Sequence, residues 1–184
     1  KHFDQALTDY KQLKAKATTT ERRQLAATGM LRSAAMMQDD VETIAAATDM
    51  LAEAKLTPEL RNEALYFRAK AYLNQQADKK AMNDLQALAK DTRTLYGAEA
   101  KYLVALQLYK AHEYAAAEKE ILNFIEQSTP HAYWLARSFI LLSDVYVAMD
   151  KKLDARQYLL SLQQNYHADD DIEQMINERL EKLK

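Results

Sequence analysis

Apolar residues recur along this chain every three or four positions, the interval that gathers them on one side of an α-helix. The pattern predicts helices near residues 2–16, 20–37, 40–55, 58–75, 78–91, 95–111, 114–127, 131–149, 152–165 and 170–183. A longer rhythm overlies it. Phe3, Ala6, Tyr10 and Leu13 return as Val41, Ile44, Thr48 and Leu51, then as Asp78, Ala81, Leu85 and Leu88. The copies continue as Tyr114, Ala117, Ile121 and Phe124 and end as Lys152, Ala155, Leu159 and Leu162. Their second members lie 38, 37, 36 and 38 residues apart. Helical amphipathicity alone fixes a period of about 3.6 residues and no longer one, so this spacing marks a repeated unit.

A second family of helices alternates with the first. Leu65, Ala69 and Tyr72 recur as Lys101, Ala105 and Leu108 and as Phe139, Ser143 and Tyr146, with a small residue in the middle each time. Gly29, Ser33 and Met36 form a fainter copy that needs a turn one residue shorter. A small side chain lets the partner helix approach closely, and the next large one fills the space a turn further on. These alternating helices resemble the tetratricopeptide repeat family. The resemblance implies an all-α fold, a superhelical solenoid of antiparallel helix pairs. It divides the chain into a half-repeat at 1–16, repeats at 20–55, 58–91, 95–127 and 131–165, and a capping helix at 170–183. Departures from the family pattern are Asp78 and Lys152 where an aromatic is usual, Lys101 in place of a bulky residue, and no glycine in the usual place. The spacing also exceeds the family's usual length of about 34. Such long repeats look like those of bacterial envelope proteins, which favours the periplasmic side over the cytoplasm; the sequence leaves the compartment undetermined.

Local signals punctuate the helices. Thr57-Pro58 and Thr129-Pro130 predict an N-cap followed by proline at the first helical position, where its missing N–H costs nothing. Thr18 and Glu21 have capping-box spacing, and Asp40 and Asp78 are expected to cap second helices. The helix at 131–149 is apolar around most of its circumference and needs cover on several sides. The last helix carries Ile172, Met175, Ile176, Leu180 and Leu183 on one stripe and is expected to supply part of that cover as a terminal cap. Its Asp169-Asp170-Asp171 start and its Lys182 and Lys184 end match the helix dipole. The first helix has no comparable capping role and the chain opens on Lys1, so a fragment of a longer array is expected.

Composition narrows the chemistry. Only 2 glycines and 2 prolines are present, too few turn residues for a sheet protein of 184 residues. The 25 basic and 27 acidic residues leave a net charge of −2 with no basic stripe, which disfavours nucleic acid as a partner. There is no cysteine, so disulfides, thiolate metal sites and a cysteine nucleophile are excluded. His112-Glu113 begins like a zinc-protease motif, but Ala116 stands where the second histidine belongs. The histidines are scattered, the Asp169–Asp171 run lacks the spacing of a calcium loop, and Gly29 and Gly97 stand alone with no phosphate-binding loop. No apolar run reaches the length of a membrane span. The expectation is a non-enzyme without metal or cofactor.

What remains is binding. Tyr72, Tyr114 and Tyr146 fall on packing positions of the repeat. The family resemblance places Tyr66, Lys70 and Leu73, then Tyr102, Leu106 and Tyr109, then Ile140, Asp144 and Val147 on the concave groove. Those nine are the candidate surface for an extended or helical peptide or a partner protein; packing of the same residues against neighbouring helices is the alternative. The lysine, asparagine and arginine clamp of chaperone-tail-binding relatives is absent, since Tyr66, Tyr102, Leu106 and Asp144 stand at such places. The function expected is a protein-interaction scaffold. Its rivals are a helical-repeat RNA-binding module and the repeat segment of a larger enzyme or envelope-assembly complex.

Overall fold

The computed structural model describes residues 2–183. Among them lie ten α-helices and no strand: α1 (Phe3–Lys16), α2 (Thr20–Met36), α3 (Asp40–Leu51), α4 (Pro58–Asn74), α5 (Asp78–Leu88), α6 (Leu95–Lys110), α7 (Tyr114–Glu126), α8 (Ala132–Ala148), α9 (Lys152–Asn165) and α10 (Ile172–Lys182). The chain is therefore all-α, with each helix within a few residues of its predicted span. Lys184, expected to complement the dipole of the last helix, lies outside the described residues; Arg179 and Lys182 occupy its last turn.

Four turns give the chain its repeat. Gln38, Gln76, His112 and Asp150 have φ of 57°, 57°, 61° and 60°, the left-handed region, although none is glycine. Each follows a first helix (α2, α4, α6 or α8) and precedes a second (α3, α5, α7 or α9). The residue after each turn donates its N–H back to a carbonyl five positions earlier: Asp39 to Ala34, Ala77 to Tyr72, Glu113 to Leu108 and Lys151 to Tyr146, at 2.8–3.1 Å. The turn residue itself donates to the carbonyl three before it, at 3.0–3.1 Å. This double closure satisfies the last carbonyls of the helix and reverses the chain within three residues.

Counting from the turn residue gives one register for all four pairs. Seven positions back stand Leu31, Ala69, Ala105 and Ser143, all buried. Five positions on stand Thr43, Ala81, Ala117 and Ala155, also buried, followed by Ala47, Leu85, Ile121 and Leu159. The repeat interval is thus 38, 36 and 38 residues. Two expectations are corrected. In α3 the packing stripe runs through Thr43, Ala47 and Met50, one residue off the predicted one, and Val41 is exposed. In α2 it runs through Ala27, Leu31 and Ala34, and the turn that follows is no shorter than the others. The order of large and small side chains is inverted in α2, and α3 has Ala47 where the other second helices carry Leu85, Ile121 and Leu159, which is why the size pattern misled.

The caps also differ in detail. Thr57 accepts from Leu60 N–H at 3.4 Å ahead of Pro58, as expected. The cap of α2 is Thr19 rather than Thr18, and that of α3 is Asp39 rather than Asp40; each side chain accepts the N–H three residues on. Asp78 lies inside the first turn of α5. Thr129 does not cap α8, which begins at Ala132; its hydroxyl donates to Thr92 O at 2.8 Å and accepts from His131 N–H. In the Asp169–Asp171 run, Asp170 accepts from Ile172 N–H at 3.0 Å.

The chain divides into two compact units, one ending at Leu88 and the other starting at Ala89. In the first, α1 to α5 pack in succession, and α1 to α4 share a core of Leu7, Met30, Leu31, Ala47, Met50 and Ala64. Arg68 on α4 grips Asp84 on α5 through two hydrogen bonds of 2.7 and 2.8 Å, with Asp84 buried. In the second, Lys101 is buried between α6 and α7, where it donates to Glu120 at 2.8 Å and Asn123 at 2.7 Å. That satisfied cation stands where the other pairs use Ala27, Leu65 and Phe139. The C-terminal helix α10 packs on α8 and α9, and Ile172 and Ile176 share a core with Ala136, Ile140, Leu159 and Leu162.

Both glycines mark close approaches. A Cβ on Gly97 would lie 1.9 Å from Asp91 O, because the segment before α6 folds back over the helix start. A Cβ on Gly29 would meet the Tyr10 ring at 2.4 Å, so α1 lies against a gap in α2.

Candidate binding surface

The nine candidate residues occupy equivalent places, ten, six and three positions before the left-handed turn on α4, α6 and α8. The matching positions on α2 are Thr28, Arg32 and Ala35. Each unit presents its own part of the set.

In the first unit, Tyr66, Lys70 and Leu73 are all half-buried on α4. The Tyr66 ring meets Phe67 edge-on at 5.5 Å, and Lys70 Nζ lies 5.8 Å from the Tyr66 centroid. Tyr66, Phe67 and Lys70 border a depression of about 190 Å³ that α2 and α3 close with Ala35, Asp40 and Thr43. Beside it Arg32 on α2 forms a bidentate pair with the buried Glu63 on α4, one contact being Nη2 to Oε2 at 2.9 Å.

In the second unit the candidates separate. Tyr102 and Ile140 are buried, at 7% and 1% exposure, and so do not line a surface. Tyr102 Oη accepts from Arg137 Nη2 at 3.1 Å while its ring lies 5.5 Å from Trp134. Ile140 belongs to the core that α10 completes. Both are packing residues, as the alternative reading had it. Leu106 and Tyr109 are half-buried and Val147 is exposed. Tyr109 leans on Tyr114 at 5.7 Å, and burial together with the Asp144 carboxylate raises its phenol above the ordinary range, against an opposing effect of Arg179. Asp144 is held by Arg179 of α10 through two 2.8 Å bonds. Leu106, Tyr109 and Val147 thus remain as the accessible apolar positions, beside a neutralised Asp144–Arg179 pair. Of the expected packing tyrosines, Tyr146 is buried and Tyr72 and Tyr114 are half-buried.

Three arginines went unnoticed in the sequence: Arg32, Arg137 and Arg179. Arg137 lies 5.3 Å from the Tyr102 centroid and 5.8 Å from that of Tyr133, donates to both hydroxyls, and reaches Asp171 at 3.4 Å. Its Nε is buried without a hydrogen-bond partner. The available signal was opposite charge one repeat apart, since Arg32 and Glu63 are 31 residues apart and Asp144 and Arg179 are 35 apart.

The histidines stay apart: His112 Nδ1 bonds Tyr114 Oη at 2.6 Å, and His131 Nε2 meets Arg93 O at 3.0 Å. Among the described residues no group of three or more His, Cys, Asp or Glu converges to hold a metal, and no helix is long and apolar enough to cross a membrane. Comparison with protein-family models and with curated proteins finds no match to this chain.

Proposed function

We propose that the chain is a non-catalytic scaffold that binds an extended or helical peptide, or a helix of a partner protein, on the exposed faces of its first helices. The superhelical arrangement of tetratricopeptide type belongs to the same proposal. The observation that carries it is positional. The same helix-turn-helix recurs four times, and on α4, α6 and α8 the position three before the turn keeps a large apolar or aromatic side chain at least partly accessible, Leu73, Tyr109 and Val147, with Tyr66 and Leu106 beside them on the same faces. The charges next to them are already matched, Arg32 by Glu63 and Asp144 by Arg179. A surface of this kind gains from burying aromatic anchors without stranding a charge. Tyr66, Lys70 and Leu73 form one patch and Leu106, Tyr109 and Val147 another. Near-neutral charge gives nucleic acid no comparable support.

The test is a peptide library panned against the intact chain, followed by binding measurements on variants. Tyr109→Ala, Val147→Asp and Leu73→Asp should each weaken the selected peptides at least about tenfold, equivalent to about 1.4 kcal/mol, with melting temperature held. Selected peptides that bind all three variants as well as the parent would remove these faces from the binding surface.

A further inference from the structure

In the first unit a face is left uncovered, and the repeat itself shows what fits it. By sequence α1 is a second-type helix: Ala6, Tyr10 and Leu13 match Ala117, Ile121 and Phe124 position for position. In α3, α5, α7 and α9 the three corresponding residues are all buried. In α1 they are only half-buried. The difference lies in the partner: each of the other four packs against the first helix of its own pair, whereas among the described residues α1 has none.

The adjoining face of α2 carries the same vacancy. Thirteen and nine positions before its turn stand Leu25 and Gly29. On α4 those positions are Glu63 and Phe67, with α2 packed alongside; on α8 they are Arg137 and Leu141, with α6 alongside. At the first of these positions Glu63 is 8% exposed and Arg137 is half-buried, but Leu25 is 60% exposed. Between the two helices lies a hollow of about 260 Å³ bordered by Phe3, Ala6, Tyr10, Leu25, Gly29 and Thr28.

We propose that this α1–α2 face is a docking site for one amphipathic helix of a partner protein, built like α6. It continues the helix-on-helix interface seen between α2 and α4 and between α6 and α8. Chemistry selects the occupant further. On α4 the residue facing Arg32 is an acid, but the matching residue on α2 is Leu25, so the occupant carries an uncharged side chain at that place, where α6 has Leu106 in the position of Arg32. On its inner stripe α6 carries Lys101, which meets Glu120 on α7; the residue of α1 matching Glu120 is Asp9, again a carboxylate. A head-to-tail second copy is a poor occupant, because the outer face of α10 carries Glu173, Gln174, Asn177, Glu178 and Glu181.

The absence of cysteine makes the test direct, since one introduced thiol is the only reactive one. The maleimide labelling rate of L25C is measured in the intact chain and in the same chain with a copy of residues 94–113 joined directly ahead of Phe3. That junction reproduces the α6–turn–α7 connection. Labelling should slow at least about tenfold on addition of the helix, as expected when an exposed side chain becomes buried, while V41C, on the exposed side of α3, should keep its rate. The melting temperature should rise. A copy carrying Ala105→Trp, too bulky for close approach, should give no protection. Unchanged labelling of L25C would overturn the proposal, whether the added segment is helical or unfolded. So would an L25C rate in the original chain that falls with protein concentration as a dimer forms, because the face would then be taken by a second copy.

Discussion

Replacing Gln38 and Gln76 with glycine should stabilise the first unit, although neither substitution adds a contact. Both residues sit at φ of 57°. There a Cβ crowds the following carbonyl, at a cost of about 1–2 kcal/mol that glycine does not incur. Glycine gives back part of this through the extra freedom of the unfolded chain, about 0.4–1 kcal/mol, leaving a net gain of about 1 kcal/mol per site. Both side chains are exposed, and the sites are 38 residues apart, so the gains should add to about 2 kcal/mol. Unfolding entropy is about 2.1 cal/mol/K per residue. If the unit ending at Leu88 melts by itself, the double variant should melt about 11 °C higher; if all 184 residues melt together, about 5 °C higher. Calorimetry therefore reports both the gain and the size of the cooperative unit. Gln38→Val, β-branched and poorly tolerated at positive φ, should lower the transition. Equal melting temperatures for the parent, Gln38→Gly and Gln38→Val would refute the strain argument. His112→Gly should gain less, because it sacrifices the bond to Tyr114.

Other substitutions probe other parts of the chain. Gly97→Ala, whose new methyl would collide with Asp91 O, should cost at least about 2 kcal/mol in chemical denaturation. Asp84→Ala strands Arg68 and should cost about 3–5 kcal/mol, whereas Arg68→Met with Asp84→Leu should come within about 1 kcal/mol of the parent or exceed it. Tyr102→Ala should lower the melting temperature as a core substitution does, while Tyr109→Ala should leave it nearly unchanged. Alkaline pH should destabilise the fold: burial and the hydrogen bond to Asp170 push the Tyr166 phenol up to about 12, and burial with Glu118 raises that of Tyr146 well above its ordinary range. Unfolded tyrosines ionise near about 10. Stability from these two is whole below that pH and is lost as pH rises toward their folded values. Tyrosinate absorbance should show them lagging the other tyrosines until the chain unfolds.

The helices were legible because each carries an apolar stripe that its own sequence spells out, and the later pairs share a size pattern too. The first pair was not, because Leu31 between Ala27 and Ala34 inverts that pattern. The turns that would have fixed its register hold Gln38, Gln76, His112 and Asp150, which give no sign of a left-handed backbone. Caps were misplaced by one residue where two candidates adjoin, as at Thr18-Thr19 and Asp39-Asp40, and Thr129 is drawn away by Thr92 O, 37 residues distant. Among the candidate residues, periodicity identified the face but not its cover. Tyr102 is closed off by Arg137 and Trp134, and Ile140 shares its core with the α10 stripe, both contributions arriving from one repeat further on. Opposite charges spaced 31 or 35 residues apart were the one cue to such cover.

Within each unit a helix packs on its neighbour or on the one after that. Among the described residues even the longest side-chain bonds, His131 to Arg93 O and Thr129 to Thr92 O, join residues only 38 and 37 apart. Closing loops this short costs little entropy, and each closure is rewarded at once by packing. A chain wired in this way should fold in milliseconds or less, starting from any pair, and pulled from its ends it should come apart in repeat-sized steps.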